Sequence, residues 1–133
     1  MKKIVGKFEK VSFPDFGITD VIAKVDTGAH SGALHATKIK EVKVKGQTEL
    51  HFSPFDHPER VFTTKKYEVG RVRSSNGHVA ERFYIDTTIE VNGKKYPVNI
   101  TLSNRSSMKY PVLLGLKFLL ENEFLVDVSI DNR

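Results

Sequence analysis

The sequence predicts an all-β domain with one short helix near the C-terminus. Apolar and polar residues alternate with a period of two in most segments, as expected for strands that bury one face. Clusters of Pro, Gly, Asn and Asp separate these segments. Only residues 113–122 have helical spacing, with Leu116, Leu119 and Leu120 on one face. A chain of 133 residues is expected to form a single domain over residues 1–133.

Strand and turn signals fill the N-terminal half. We predict strands at residues 2–13 and 18–25, because a turn containing Pro and Gly separates them. In residues 38–45 lysines alternate with apolar residues, which places the lysines on the solvent face of a strand. A short strand follows at residues 48–52, and the prolines of residues 53–58 predict a loop.

The C-terminal half contains two predicted hairpins and a closing strand. The first hairpin has a polar tip that contains glycine. In the second, two alternating segments flank Asn92-Gly93, the residue pair that favours a two-residue type I′ turn. The predicted strands are residues 67–73 and 79–85 for the first hairpin, residues 85–91 and 96–102 for the second, and residues 124–128 at the end.

Composition limits the possible environments and partners. The chain has no cysteine, which excludes disulfides and thiolate metal sites. The longest apolar stretch, residues 110–120, is too short to span a bilayer and contains Lys117. The basic N-terminus lacks the apolar region of a signal peptide, so we expect a cytoplasmic protein without membrane contact. The net charge of +5 is scattered, which favours an acidic partner over a nucleic acid.

The motif with most chemical content is Asp26-Thr27-Gly28-Ala29, which follows the apolar run of residues 21–23. Aspartic proteases use two carboxylates that share one proton, because like charges a few ångströms apart cannot both ionise. The chain has one such motif, so the motif predicts a homodimer in which two copies meet at Asp26. The alternative is an Asp-Thr-Gly turn without chemistry, since these residues commonly form turns.

Three features in chain order resemble retropepsins, the single-domain aspartic proteases of retroviruses and their cellular relatives. They are the loop at residues 26–29, a glycine-bearing hairpin at residues 67–85 in the place of the flap, and Val-Leu-Leu-Gly at residues 112–115 before a helix. The resemblance implies a closed β-barrel. It also places Leu113, Leu114 and Gly115 in the core behind the site, and assigns to the flap and substrate Arg73, Ser74, Ser75, Asn76 and Gly77.

A closer resemblance, over residues 3–130, is to a bacterial and archaeal family that carries the label ATP-dependent zinc protease and is viewed as retropepsin-like. The matching segments include residues 24–29, Ala33-Leu34-His35-Ala36, residues 72–77, Arg82, residues 108–115 and residues 124–127. Two positions depart from the family pattern. Ser31-Gly32 stands where members carry Thr-Ser, and Leu116 stands where members carry Arg.

The resemblance implies a role for each residue of the motif. The two copies of Asp26 would act as general base toward water and general acid toward the peptide carbonyl, without a cofactor. Thr27 would orient the loop, and Gly28 would allow close backbone approach. Because Ala29 has no hydroxyl that could donate to an ionised carboxylate, we expect activity nearer neutral than acidic pH. Asp127 is a weaker candidate for a second carboxylate and is better explained as a capping residue.

Other functions stay open at this point. Members of the family are often encoded beside ligases that attach glutamate to proteins, which suggests an acidic, glutamate-rich peptide tail as substrate. The arginines that flank the hairpin tip, Arg73 and Arg82, could meet its carboxylates. A barrel that binds an extended peptide without cutting it is an alternative. A basic barrel that binds nucleic acid is a third hypothesis.

The family label also raises a metal-dependent peptidase as an alternative. The sequence has no His-Glu-x-x-His motif, and His30 and His35 lie five apart in a stretch without clear helical pattern. It also has no Gly-x-x-x-x-Gly-Lys-Ser/Thr phosphate loop. We therefore predict no metal ligands and favour the aspartic mechanism.

Overall fold

The computed structural model describes residues 3–73 and 76–133, except for the side chains of Val72 and Arg73. In these residues the fold consists of eleven strands and one α-helix. The strands are β1 (Lys3–Val5), β2 (Phe8–Phe13), β3 (Ile18–Val25), β4 (Gly32–Val44), β5 (Gln47–Pro54), β6 (Phe62–Thr64), β7 (Tyr67–Arg73), β8 (Val79–Val91), β9 (Lys94–Ser103), β10 (Val112–Leu114) and β11 (Phe124–Val126). The helix α1 spans Leu116–Glu121, and a 3-10 turn covers Pro14–Phe16. In the described ranges no helix is both long and apolar enough to cross a membrane.

Six of the strands form a closed ring. Their order is β10, β3, β2, β8, β9 and β4, and β10 pairs back to β4. The short β10 runs parallel to β3 and antiparallel to β4, so it lies between the two strands that flank the 26–31 loop. The prediction of an all-β, retropepsin-like closed β-barrel with one short C-terminal helix is confirmed.

The remaining strands extend the barrel. β5 and β6 continue the sheet beyond β4, and β7 pairs with β8 to form the predicted flap hairpin. β1 and β11 form a separate two-stranded parallel sheet that brings the two ends of the described chain together.

Alternate residues of the barrel strands point inward and form the core. Leu34, Ile89, Ile100, Val112 and Leu114 are all fully buried, as the period-two pattern requires. An aromatic cluster closes one part of the core around the 3-10 turn, and a second one joins α1 to β9 and β11. Their members are Phe13, Phe16, Phe52, Phe55 and Phe62 in the first cluster, and Tyr96, Phe118 and Phe124 in the second.

The predicted type I′ hairpin between β8 and β9 is present. Asn92 and Gly93 have φ angles of 52° and 79°, and Val91 pairs with Lys94. Positive φ at both central residues is the signature of this turn, whose twist matches that of the strands. A second turn of the same kind joins β4 to β5.

Several predicted boundaries were wrong. The predicted helix at 113–122 begins only at Leu116, because residues 112–114 form β10 in the barrel. The predicted strand at 2–13 divides into β1 and β2 around Gly6, where a Cβ would overlap the carbonyl of Ile130. β4 is longer than expected, starting at residue 32, and the short β6 was not predicted.

One buried carboxylate ties the two ends of the chain together. Glu9 is 1% exposed, and its Oε2 accepts hydrogen bonds from the Gly6 backbone N–H at 2.7 Å and from Asn132 Nδ2 at 2.8 Å. A buried carboxylate is tolerated when hydrogen-bond donors surround it. Backbone hydrogen bonds from Lys7 to Ile130 and from Asn132 to Phe8 support the same junction.

We expect Glu9→Leu to lower the free energy of unfolding by about 2 kcal/mol or more, because it leaves the two donors unpaired in a buried position. Urea unfolding of the purified variant measures this loss. Glu90→Leu on β8 serves as the control, with an expected change within about 0.5 kcal/mol, since Glu90 makes no side-chain hydrogen bond in the described structure. Equal stability of the two variants would contradict the role of Glu9.

Candidate active site

Asp26 lies directly after β3, where its backbone is fixed by the neighbouring strand. The Asp26 N–H donates to the carbonyl of Leu114 at 2.9 Å, which extends the parallel pairing of β3 with β10 by one residue. Asp26 is half-buried. The position of its Cα is therefore set by the barrel and not by a free loop.

The loop after Asp26 folds back onto the Asp26 carboxylate. The Gly28 N–H donates to Asp26 Oδ1 at 3.0 Å, and the Ala29 N–H donates to the Asp26 carbonyl at 3.3 Å. This is an Asx turn, in which a side-chain oxygen replaces a backbone acceptor. The other carboxylate oxygen, Oδ2, accepts no hydrogen bond from the described residues. One oxygen orients the side chain, and the second is available for chemistry.

The start of α1 holds the far side of the loop. The Leu116 N–H donates to the carbonyl of Ala29 at 2.8 Å, and the Lys117 N–H donates to the carbonyl of His30 at 2.9 Å. The first N–H groups of a helix have no partner within the helix, so the loop supplies the acceptors. Thr27 and Gly28, at the exposed tip, are the residues that this arrangement presents to solvent.

Two glycines allow the backbone segments behind the loop to meet. A Cβ on Gly115 would lie 2.6 Å from the Ser31 carbonyl carbon, 2.7 Å from Gly32 N and 2.9 Å from Ala29 O. A Cβ on Gly32 would lie 2.5 Å from Leu113 O. Such distances are too short for any side chain, and the neighbours are backbone atoms that cannot turn away. These glycines are required by close packing.

The two leucines of β10 face opposite sides of the sheet. Leu114 is buried in the barrel with Val112, whereas Leu113 is half-buried on the outer face. Residues that lie directly opposite one another on neighbouring strands form a row across this face, from β3 before Asp26 to the flap strand β7. The row comprises Lys24, Leu113, Ala33, Thr101, Tyr84 and Glu68. The sequence did not mark Thr101 or Tyr84, and it marked Ala33 only as part of the family segment at residues 33–36.

The flap hairpin is a regular extension of β7 and β8. Its pairs run from Tyr67 and Ile85 to Arg73 and Val79. Asn76 and Gly77 are exposed near the tip, and Gly77 has a φ of 86°. Of the other predicted flap residues, Ser74, Ser75 and the Arg73 side chain lie outside the described residues. No hydrogen bond joins the described part of the hairpin to the 26–29 loop.

The base of the hairpin is fastened to the barrel. The Tyr67 hydroxyl donates to Glu41 Oε2 on β4 at 2.6 Å. This hydrogen bond to a carboxylate raises the pKa of Tyr67 to about 12. On β8 the exposed Arg82 lies opposite Gly70, midway along the hairpin.

The other carboxylate considered from the sequence has a local role. Asp127 follows β11, and its Oδ1 accepts hydrogen bonds from Ser129 Oγ at 2.6 Å and Ser129 N at 2.9 Å. The Ser129 side-chain hydrogen bond, followed by the backbone one, lowers the pKa of Asp127. Asp127 closes the turn that leads to the C-terminus.

The histidines are dispersed. His51 approaches Glu49 at 3.3 Å, His57 approaches Glu59 at 3.5 Å, and His30 is exposed beside the Asp26 loop. Among residues 3–73 and 76–133 no three His, Asp or Glu side chains cluster in a way that could hold a metal ion.

A family model described as RimB-like, retropepsin-like aspartic endopeptidase RimB, matches residues 4–132. The chain belongs to this family. The matched range includes every element of the barrel, the Asp26 loop and the flap hairpin. The zinc-protease label is not part of that description.

One solved structure is similar to this chain over nearly the whole length of both proteins. It is Lpg0085 from Legionella pneumophila, described as of unknown function, with a TM-score of 0.78 and 30% identity over 99% of this chain and 98% of that one.

Curated relatives carry a different name. Proteins called "Probable alpha-L-glutamate ligase" match at 33% identity in Shewanella halifaxensis and 32% in Desulfotalea psychrophila, over 96% and 97% of this chain. The match covers 29% of each of these relatives, so the chain spans less than a third of their length.

Gly115→Ala should lower the free energy of unfolding by more than about 2 kcal/mol, because the added Cβ would overlap three backbone atoms. Urea unfolding is the measurement. Gly28→Ala is the matched control with an expected loss below about 1 kcal/mol, since its Cβ would meet only Asp26 Oδ1, at 3.3 Å. A Gly115→Ala protein as stable as wild type would refute the close packing behind the loop.

Proposed function

We propose that the protein is a homodimeric aspartic endopeptidase that cleaves acidic, glutamate-rich peptide segments. The observation that carries the proposal is the Asp26 loop. One carboxylate oxygen is fixed by the Gly28 N–H, and the backbone of Asp26 is fixed by Leu114. Membership of a family of retropepsin-like endopeptidases supports the same chemistry.

A second copy of the chain would complete the site. Each chain contributes one Asp-Thr-Gly loop, and peptide hydrolysis by carboxylates needs one ionised and one protonated group. Two Asp26 side chains related by a two-fold axis would share one proton for the reason that like charges repel at short range. The exposed tip at Thr27 and Gly28 leaves room for such an approach.

The reaction would proceed by direct attack of water. The ionised Asp26 takes a proton from water as the oxygen bonds to the peptide carbonyl carbon, and the protonated partner gives its proton to the carbonyl oxygen. The resulting tetrahedral diol loses a hydroxyl proton to a carboxylate while the C–N bond breaks and the amine nitrogen is protonated. Both carboxylates return to their starting state of one shared proton.

The charge of the chain and the names of its relatives both favour an acidic substrate. In the described part of the chain Arg133 is the only Lys or Arg side chain in an ion pair, so most of the basic side chains are uncompensated. Arg82 is exposed on the flap hairpin, and Lys24 is the first residue of the row that starts beside Asp26. The relatives named as glutamate ligases contain a region like this chain, which suggests that it acts on the product of such ligases.

Peptide binding without cleavage is the second candidate. In the described structure β7 pairs only with β8, which leaves its other edge available for an extended peptide to add as a strand. Under this alternative peptide affinity would not depend on Asp26 and no peptide would be cut.

Asp26→Asn should reduce kcat/KM for a glutamate-rich peptide by at least about a hundredfold, because the variant lacks the general base and acid. Mass spectrometry of the digested peptide is the measurement. Asp20→Asn, the same charge change on the same strand, should retain full activity. Cleavage that survives in Asp26→Asn would reject the aspartic mechanism, and absence of cleavage by wild type with intact binding would favour the binding module.

We expect a glutamate-rich peptide to be cleaved with a kcat/KM about tenfold above that of a peptide with Gln at the same positions, owing to attraction by the basic surface. Arg82→Gln should lower kcat/KM by about twofold to fivefold, a small effect because the side chain is exposed. Lys43→Gln, far along β4, should have no effect. Equal cleavage of both peptides would contradict an acidic substrate.

A further inference from the structure

His35, on β4, is a buried residue with a hydrogen bond on each of its polar groups. It is 3% exposed. Its backbone N–H donates to the Pro111 carbonyl at 2.8 Å, and its carbonyl accepts from the Phe55 N–H at 2.8 Å. In the ring, Nδ1 accepts from the Arg105 N–H at 2.8 Å, and Nε2 lies 3.0 Å from Asp56 Oδ1.

These contacts define the protonation state of the ring. A backbone N–H can only donate, so Nδ1 of His35 must carry the lone pair. The ring hydrogen is therefore on Nε2, from where it donates to the Asp56 carboxylate. The arrangement requires a neutral imidazole in the Nε2–H form, since a proton on Nδ1 would face the Arg105 N–H.

His35 forms hydrogen bonds with both ends of one segment, residues 104–111. The ring holds Arg105 just after β9, and the backbone holds Pro111 just before β10. Inside the segment Arg105 Nε donates to the Tyr110 carbonyl at 3.0 Å, and the Met108 N–H donates to the Arg105 carbonyl at 2.8 Å. Burial lowers the pKa of the Arg105 guanidinium. His35 is thus the residue that contacts both ends of the segment, and Tyr110 adds a further anchor near its end, because its hydroxyl accepts from Arg133 Nη1 at 2.6 Å and its ring packs against Phe8.

The segment connects the flap to the Asp26 loop. At its start, Asn104 lines a cavity of about 500 Å³ together with residues 80–83 on the β8 strand of the flap hairpin. At its end, β10 supplies the Leu114 carbonyl that holds the Asp26 N–H. A shift of residues 104–111 would therefore change the space beside the hairpin while the pairing of β10 with β3 keeps Asp26 in place.

We propose that His35 is a positioning residue that, through its neutral Nε2–H ring, holds residues 104–111 in place beside the cavity at the flap hairpin, where the peptide would bind. This inference rests on the proposed function. His35 is not a catalytic residue, because its contacts are to Arg105, Asp56, Pro111 and Phe55 and not to the reacting carboxylate. Its loss should weaken peptide binding more than the chemical step.

The experiment compares His35→Leu, which removes both ring contacts, with His35→Asn, whose side-chain oxygen can still accept from the Arg105 N–H. His51→Leu is the matched control, since His51 also contacts a carboxylate but has no backbone donor on its ring. Each change is made in wild type and in Asp26→Asn. Amide hydrogen exchange measures the protection of the Arg105 N–H. Calorimetric titration of the proteins that carry Asp26→Asn with a glutamate-rich peptide gives Kd. Cleavage of the same peptide by the proteins that retain Asp26 gives kcat and KM.

In His35→Leu the Arg105 amide should exchange about tenfold faster and Kd and KM should rise about tenfold, as expected for loss of one buried hydrogen bond. The value of kcat should stay within about threefold of wild type. His35→Asn should recover most of the Arg105 protection, and His51→Leu should match wild type. Nitrogen NMR of the wild-type ring, which needs no variant, should show the Nε2–H form.

Unchanged Arg105 exchange, unchanged Kd in His35→Leu, or an Nδ1–H ring in wild type would each overturn the inference. These outcomes are separate from those that test the proposed function. Intact peptide binding by Asp26→Asn with no cleavage by wild type would contradict endopeptidase activity and leave the His35 measurements valid. Normal cleavage by wild type with no effect of His35→Leu on KM would contradict only the role of His35.

Discussion

The insertion of β10 between β3 and β4 is the constraint on which the rest of the structure depends. This three-residue strand closes the six-strand ring and supplies the carbonyl that fixes the Asp26 backbone. It can approach both neighbours because Gly32 and Gly115 lack side chains where backbone atoms meet. Closing the barrel removes two sheet edges, and the same contact positions the candidate catalytic residue. Stability and site geometry therefore share one set of contacts.

The loop that carries Asp26 is held from three directions, by β10 behind it, by the first N–H groups of α1 beside it, and by its own Asx turn. Such a rigid loop lowers the cost of bringing two carboxylates together, because little backbone freedom remains to be lost. The single chain nevertheless presents one carboxylate. In this account the barrel prepares half of a site, and association of two chains completes it.

Local sequence signals predicted much of the fold and less of the site's surroundings. The Asn92-Gly93 turn determines the register of β8 and β9, so counting seven residues outward from Val91 and Lys94 gives the pair of Tyr84 and Thr101. By contrast Leu113 and Leu114 of β10 were assigned to the start of the helix, because helical spacing at Leu116, Leu119 and Leu120 does not show where the helix begins and pairing in the barrel does. The partners of His35 lie 21 and 70 residues away, and no local pattern reports such contacts.

Mixing wild-type and Asp26→Asn chains tests the central claim, a carboxylate pair shared between two copies, most directly. Equal amounts are allowed to exchange subunits, and cleavage of a glutamate-rich peptide is measured at constant total protein. If each active site needs Asp26 from both chains, activity should fall to about one quarter of wild type, because only that fraction of dimers has two intact copies. Retention of about one half, the value for chains that act independently, would contradict the account.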